Sequence, residues 1–197
     1  MLNYNSVIKN EINQGSISVK EISPVIKINL RGKKREFLTN VGKNLNMILP
    51  TEANTSTTSD KLTAIWLSPD EWMIISNELA SKDTNKSDLY EMLFNSISKT
   101  NLGAVIDVTD QFVQLELKGE NVYEIFSAGS PFNFNEFKEK KGSTTQTVLN
   151  HVDVILHHKD ENILNLFVRR SFAEHLFSWV EDCASSCLLY TSPSPRD

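Results

Sequence analysis

The apolar residues of this chain recur in one pattern. Two short runs with the two-residue period of a strand are followed by a set spaced three and four apart, the period of a helix. In the first round the runs are residues 62–67 and 72–76, joined by Ser68-Pro69-Asp70-Glu71. Proline presets φ for a turn and aspartate bonds its own backbone, so this junction predicts a β-hairpin. Leu89, Met92, Leu93 and Ile97 then share one face of a helix starting near Ser87. In the second round, residues 104–108 and 112–117 read as strands, with Val113, Leu115 and Leu117 facing away from Gln114, Glu116 and Lys118. Gly119 turns the chain into a helix carrying Val122, Ile125 and Phe126, and Gly129 suits its C′ position. The third round has strands at 147–149, 152–156 and 163–168. Ser171 and Glu174 form a capping box there, opening a helix with Phe172, Leu176, Trp179 and Val180 on one face and Ala173 and Phe177 beside it. Ahead of these rounds, Ile26, Ile28 and Leu30 alternate with Lys27, Asn29 and Arg31 as in a half-buried strand. Phe37, Leu38, Val41 and Leu45 follow at helical spacing until Pro50 closes the element. Three strand-strand-helix rounds predict an α+β fold, mainly antiparallel sheet with helices on one side.

The chain has 197 residues, 40% of them apolar, with 10 Phe and 3 Trp to fill a core. That size supports one domain at 25–183, or two small lobes at about 25–101 and 102–183. Residues 1–24 are weakly periodic and are expected to form an extended N-terminal arm. The stretches at 51–61 and 78–87 are polar and read as loops. Residues 187–197 are rich in Ser and Pro, unlike the Asn-, Lys- and Ile-rich body, and resemble translated sequencing-adapter read-through. They are expected to be a non-native tail, and any pairing of Cys187 with Cys183 is set aside with them. The first 25 residues lack the apolar core of a secretory signal, and no apolar run approaches the roughly 18–20 residues of a membrane span. Two cysteines cannot staple a fold, so a reducing cytoplasm is the expected compartment. A net charge of −5 argues against a general nucleic-acid binder.

Chemistry is sparse. There is no phosphate-cradling glycine loop, no nucleophile elbow and no Cys-x-x-Cys pair, so no catalytic, cofactor-binding or metal-binding residue is assigned. Of His151, His157, His158 and His175, the adjacent pair His157 and His158 would point to opposite faces of a strand, which without a bulge prevents a joint grip on one metal, and no acidic partner at ligand spacing accompanies His151 and His157. Cys183 reads as a helix residue that packs or faces solvent. Asp107 and Asp110 flank a strand-to-strand turn, where paired acids serve either acid-base chemistry or, more often, the backbone amides of the turn. The basic clusters at 31–35 and 138–141 read as solvated loops, with contact to a phosphate or an acidic partner as the sharper alternative. The least ordinary segment is Gly129-Ser130-Pro131-Phe132-Asn133-Phe134-Asn135-Glu136-Phe137. Its three Phe side chains either plug the sandwich from inside or anchor a partner. Trp66, Trp72, Phe132, Phe134 and Phe137 are therefore the candidate partner-facing residues.

Five blocks in order carry a resemblance over residues 25–182. They are Ile65-Trp66-Leu67-Ser68-Pro69-Asp70-Glu71-Trp72-Met73-Ile74; Asp107-Val108-Thr109-Asp110-Gln111 with Leu115-Glu116-Leu117-Lys118-Gly119; Gly129-Ser130-Pro131-Phe132-Asn133-Phe134; Thr145-Gln146-Thr147-Val148-Leu149; and Phe167-Val168-Arg169-Arg170-Ser171-Phe172-Ala173-Glu174-His175-Leu176. Together they resemble the gamma subunit of heterotetrameric sarcosine oxidase, with Ser130 where that family usually has Cys. The resemblance implies a fold like the folate-binding domain of the aminomethyltransferase superfamily. It also implies a non-catalytic subunit that braces an alpha–beta assembly, with a small delta subunit in the same complex. The complex demethylates sarcosine to glycine with formation of hydrogen peroxide and 5,10-methylenetetrahydrofolate. FAD, FMN, NAD, tetrahydrofolate and zinc are then expected on the other subunits and no cofactor on this chain. The catalytic aminomethyltransferases carry an acidic stretch after a late strand, and this chain reads Val168-Arg169-Arg170-Ser171 there. The alternative is an independent folate-binding or one-carbon-transfer protein using Asp107 or Asp110. A third is an interaction module for a related N-methyl amine dehydrogenase.

Overall fold

The computed structural model describes residues 5–14, 17–22, 25–76 and 87–190, with side chains in the last span from 88 to 186. The strands are β1 (Ile12–Gln14), β2 (Ile17–Glu21), β3 (Lys27–Arg31), β4 (Ser56–Thr58), β5 (Leu62–Ser68), β6 (Glu71–Ser76), β7 (Ala104–Asp107), β8 (Phe112–Lys118), β9 (Thr144–Leu149), β10 (Val152–Asp160) and β11 (Ile163–Arg169). The helices are α1 (Arg35–Leu45), α2 (Ser87–Leu93), α3 (Val122–Gly129), α4 (Asn135–Glu139) and α5 (Ala173–Tyr190). A π-helical turn, Phe94–Ser98, extends α2, and a 3-10 turn, Arg170–Phe172, precedes α5. The α+β class with antiparallel sheets expected from the apolar periodicity is the class observed.

The chain forms two units. The first takes residues up to Ile22, Val113–Lys141 and everything from Gln146; the second takes Ser23–Phe112 and Gly142–Thr145. This differs from lobes divided near residue 101, and the N-terminal segment belongs with the C-terminal half. The expected extended arm contains a strand pair instead. In it β1 pairs antiparallel with β2, and β2 continues onto β8 with Val19 opposite Leu117. Ile8, Ile12, Ile17 and Val19 are buried there, so the segment has its own apolar face to lose to water.

The six-stranded sheet of the first unit has the order β1-β2-β8-β11-β10-β9. One face carries Val113, Leu115, Leu117, Val154, Leu156, Leu164 and Leu166 against Val122, Ile125 and Phe126 of α3 and Leu176, Phe177 and Val180 of α5. β9 and β10 are joined by Asn150 and His151, both at positive φ (47° and 65°), as a two-residue type I′ hairpin turn requires. Gly129 is not the left-handed cap expected of it. It is the last residue of α3, and its missing side chain admits the Trp179 ring, since a Cβ there would lie 2.5 Å from that ring. Phe172, expected on the buried face of α5, is 47% exposed, because α5 begins only at Ala173 and Phe172 sits in the 3-10 turn. That turn also departs from the capping-box expectation: its N-cap is Arg169 and no side chain caps it.

The five-stranded sheet of the second unit has the order β4-β5-β6-β3-β7 and is antiparallel throughout. Ile28, Leu30, Trp72 and Ile74 pack on Phe37, Val41 and Leu45 of α1 and on Leu93 and Ile97. The stretch expected as a loop at 51–61 contains the edge strand β4. It also holds residues 142–145 in this unit, through Thr144 N–H to Asn54 O at 2.9 Å and Ser56 Oγ to Gly142 O at 2.8 Å. The loop expected at 78–87 lies outside the described residues apart from Ser87, as do residues 191–197 of the tail. The outer edge of β7 is partly blocked, since Ser98 Oγ accepts the Val105 N–H at 3.1 Å.

The second strand-strand-helix round does not form a strand pair. β7 joins β3 in one sheet and β8 joins β2 in the other. The turn between them is tied back to β3: Val108 N–H donates to Lys27 O at 3.0 Å, and Lys27 N–H donates to Thr109 Oγ1 at 3.1 Å. Lys27, which alternation places on a wet face, is 2% exposed, with its ammonium donating to the carbonyls of Val25 (3.0 Å) and Thr109 (3.4 Å). Among the described residues, no helix is long and apolar enough to cross a membrane.

Candidate functional site

The five aromatic residues singled out by sequence divide into buried and half-buried. In the second unit Trp72 is 2% exposed, stands 5.8 Å from the Phe37 ring, and donates Nε1–H to Pro50 O at 2.7 Å. An indole that is buried and hydrogen-bonded inside its own chain has nothing to offer a partner, so Trp72 is a core residue. Trp66, the register partner of Trp72 across the β5–β6 hairpin, is only half-buried.

In the first unit Phe134 and Phe137 are also core residues. Phe132, Phe134 and Phe137 meet edge-on at 5.0–6.1 Å, and Phe134 touches Phe126 at 5.9 Å. Internal packing is therefore the answer for Phe134 and Phe137. Phe132 is half-buried, at the rim of that cluster. The segment is held by Ser130, whose Oγ accepts the Phe132 N–H at 3.2 Å and lies 3.1 Å from Thr147 Oγ1. Beneath it, His158 Nδ1 lies 3.2 Å from Phe137 O and 3.0 Å from Lys140 O. Two carbonyls can only accept, so Nδ1 carries the proton and staples the end of α4 to β10. Tyr123 packs on the same rings, and burial pushes its phenol up to about 12. Its buried hydroxyl has no hydrogen-bond partner among the described residues. Replacing Tyr123→Phe removes that unmet donor, so stability in urea titration should hold or rise by up to about 1 kcal/mol; a loss above about 1 kcal/mol refutes the assignment.

The polar candidates are structural. Asp107 Oδ1 accepts the Thr109 N–H at 2.9 Å, which closes the turn, and Asp107 and Asp110 are both exposed. His151 is a turn residue, His175 lies 3.3 Å from the Asn150 amide, and Cys183 packs half-buried on the first unit's core. Among the described residues no group of three or more His, Cys, Asp or Glu could hold a metal. In the basic cluster at 31–35, Arg31 (3.8 Å) and Lys33 (3.5 Å) face Asp70. The Ser68 hydroxyl, bonded to Asp70 at 2.9 Å, and then these two charges hold its carboxyl below the ordinary aspartate range.

Sequence reasoning missed two features. The second face of the six-stranded sheet is buried although polar, with Gln114, Glu116, His157 and Asn165 all 3–7% exposed. Their alternation with apolar residues looks like a solvated face, and nothing local says otherwise. The other is Ile48, 82% exposed beside a shallow groove lined by Leu38, Gly42, Met47 and Leu49. A sequence signal existed there, an apolar Met47-Ile48-Leu49 run just past the helix end, in which alternate residues must point apart.

The profile of the sarcosine oxidase gamma subunit family matches residues 32–186. The chain belongs to that family. The match runs through both units and takes in all five aromatic positions, besides the late blocks that end in α5. No curated protein matches by sequence. Among solved structures, the fold is similar to a chain of heterotetrameric sarcosine oxidase from Corynebacterium sp. U-96, in complex with pyrrole 2-carboxylate. That similarity has a TM-score of 0.77 at 19% identity and covers 89% of this chain and 87% of that one. It is also similar to glycine cleavage system aminomethyltransferase T from Bartonella henselae (TM-score 0.61, 17% identity), covering 85% of this chain and 46% of that one. At such identities the likeness is one of fold, and both neighbours share the α+β architecture described above.

Proposed function

We propose that this chain serves as the non-catalytic gamma subunit of a four-subunit, cytoplasmic sarcosine oxidase. Its role is to brace the alpha and beta subunits, with delta in the same complex. The assembly oxidises the N-methyl group of sarcosine, giving glycine, hydrogen peroxide and 5,10-methylenetetrahydrofolate. FAD, FMN, NAD, tetrahydrofolate and zinc reside on the other subunits in this reading. The observation that carries it is the family match across residues 32–186, which includes both units. The fold shared with a heterotetrameric sarcosine oxidase chain over nearly nine-tenths of the length supports it.

Co-expression with alpha and beta subunits tests the reading. All three should elute as one species in size-exclusion chromatography, and elution of this chain by itself overturns the assignment. Purified separately, it should be colourless and inactive toward sarcosine. The aminomethyltransferase-like fold favours a second reading, independent folate binding. Titration of the isolated chain with tetrahydrofolate separates the two, since saturable binding supports only the second.

A further inference from the structure

Glu116 on β8 is buried, and three lysines from three strands converge on its carboxylate. Lys118 Nζ lies 3.0 Å from Oε1, Lys159 Nζ of β10 lies 3.2 Å from Oε2, and Lys20 Nζ of β2 lies 3.9 Å from Oε1. The backbone dictates this convergence. Lys20 is the register partner of Glu116, Lys118 is two residues along the same face, and Lys159 reaches across β11.

Compensating one buried carboxylate takes one well-placed cation, and here Lys118 and Lys159 already satisfy both oxygens. The third ammonium adds charge without a hydrogen bond. Three positive charges against one negative leave a local excess of two in a chain whose net charge is −5. The adjoining loops carry Glu120 and Glu161, yet neither pairs with these lysines among the described residues. Crowding like charges is unfavourable unless another anion shares them. The lysine side chains are 43%, 46% and 51% exposed, so the outer side of the cluster is open. The occupant follows from the charge balance. An extended polyanion such as nucleic acid or an anionic membrane would meet the overall negative chain, whereas a short acidic segment meets only the local excess.

We propose that the Lys20–Lys118–Lys159 cluster is a docking point for an acidic segment of a partner subunit, whose carboxylates complete its charge balance. This rests on the gamma-subunit reading. The test measures affinity for the native alpha–beta pair at low salt and at about 0.5 M salt, where screening is strong. Lys20→Gln and Lys159→Gln should each weaken binding about two- to five-fold at low salt, the range of exposed ion pairs, with the difference vanishing at high salt. The same losses should persist in a Glu116→Gln background. Lysine variants that bind like wild type overturn the proposal. So do losses that disappear once Glu116 is neutralised, because the lysines then act only through Glu116. Thermal melts of each variant confirm that it is folded. Failure of the wild-type chain to bind alpha–beta at any salt is a separate result, and it removes the gamma-subunit reading together with this proposal.

Discussion

Gly103→Ala will destabilise the protein by about 2–4 kcal/mol, lowering the thermal midpoint by about 10 °C. Gly103 enters β7, where a Cβ would stand 2.3 Å from Arg31 O and 2.8 Å from Phe37 Cδ2. Neither neighbour can yield cheaply. Arg31 O belongs to β3, which pairs with β7 from Arg31 opposite Ala104 onward. The Phe37 ring is wholly buried, closed in from another side by Gly32, where a Cβ would meet it at 2.5 Å, and it packs on Trp72. Gly129→Ala is the informative contrast. Its closest contact is the half-buried Trp179 ring, which can swing outward, so the loss should be smaller. Melting followed by circular dichroism at neutral pH reads both. A Gly103→Ala midpoint within about 2 °C of wild type would show that β3 and β7 tolerate separation.

Acidification from about pH 6.5 to pH 4 will remove about 3 kcal/mol of stability through one residue. His157 is 3% exposed on the polar face of the six-stranded sheet, opposite Asn165. Burial, then the nearby His158 and Lys159, push its imidazole down to about 4 from an ordinary 6.5. Above 6.5 the ring is neutral in both folded and unfolded chains, and its contribution is fully present. Between 6.5 and about 4 the unfolded chain binds a proton that the folded chain refuses, so stability falls as pH falls. Below about 4 both states are protonated and the loss levels off. Glu116 acts in the same direction at lower pH. Burial raises its carboxyl, but the hydrogen bonds and charges of Lys118 and Lys159 outweigh that and hold it below the ordinary glutamate range. Its share of stability therefore declines as it protonates. Urea unfolding at several pH values measures the slope, and His157→Gln should flatten it above pH 4 whatever it does to stability at pH 7. An unchanged slope in that variant would mean another group governs acid sensitivity.

Local patterns were legible where one turn or one face decides them. The Pro69-Asp70 hairpin, the Phe37–Val41–Leu45 stripe of α1 and the Val113–Leu115–Leu117 face of β8 are as periodicity predicts. The turn role of Asp107 was visible too, because a short acid beside a strand end bonds the nearest amide. Pairing was not legible. Only the four residues Val108 to Gln111 separate β7 from β8, yet the two strands join different sheets, and β8 instead takes a partner from residues 17–21. The candidate interface was half legible: aromatic residues were found, but whether Trp72, Phe134 and Phe137 point inward depends on how the chain brings Pro50, Phe126 and Tyr123 against them.

The sequence by itself determined most of the element types after residue 25, the α+β class and, through five ordered blocks, the family, because periodicity, turn chemistry and motif order are properties of neighbouring residues. Only the tertiary structure decided which faces are dry. Lys27 and Glu116 look like surface residues in any window of sequence, yet they are buried, with the carbonyls of Val25 and Thr109 meeting the charge of the first and Lys118 and Lys159 that of the second. Alternation reports that two faces differ in polarity. Whether the polar one meets water is set by contacts that form only when remote segments come together.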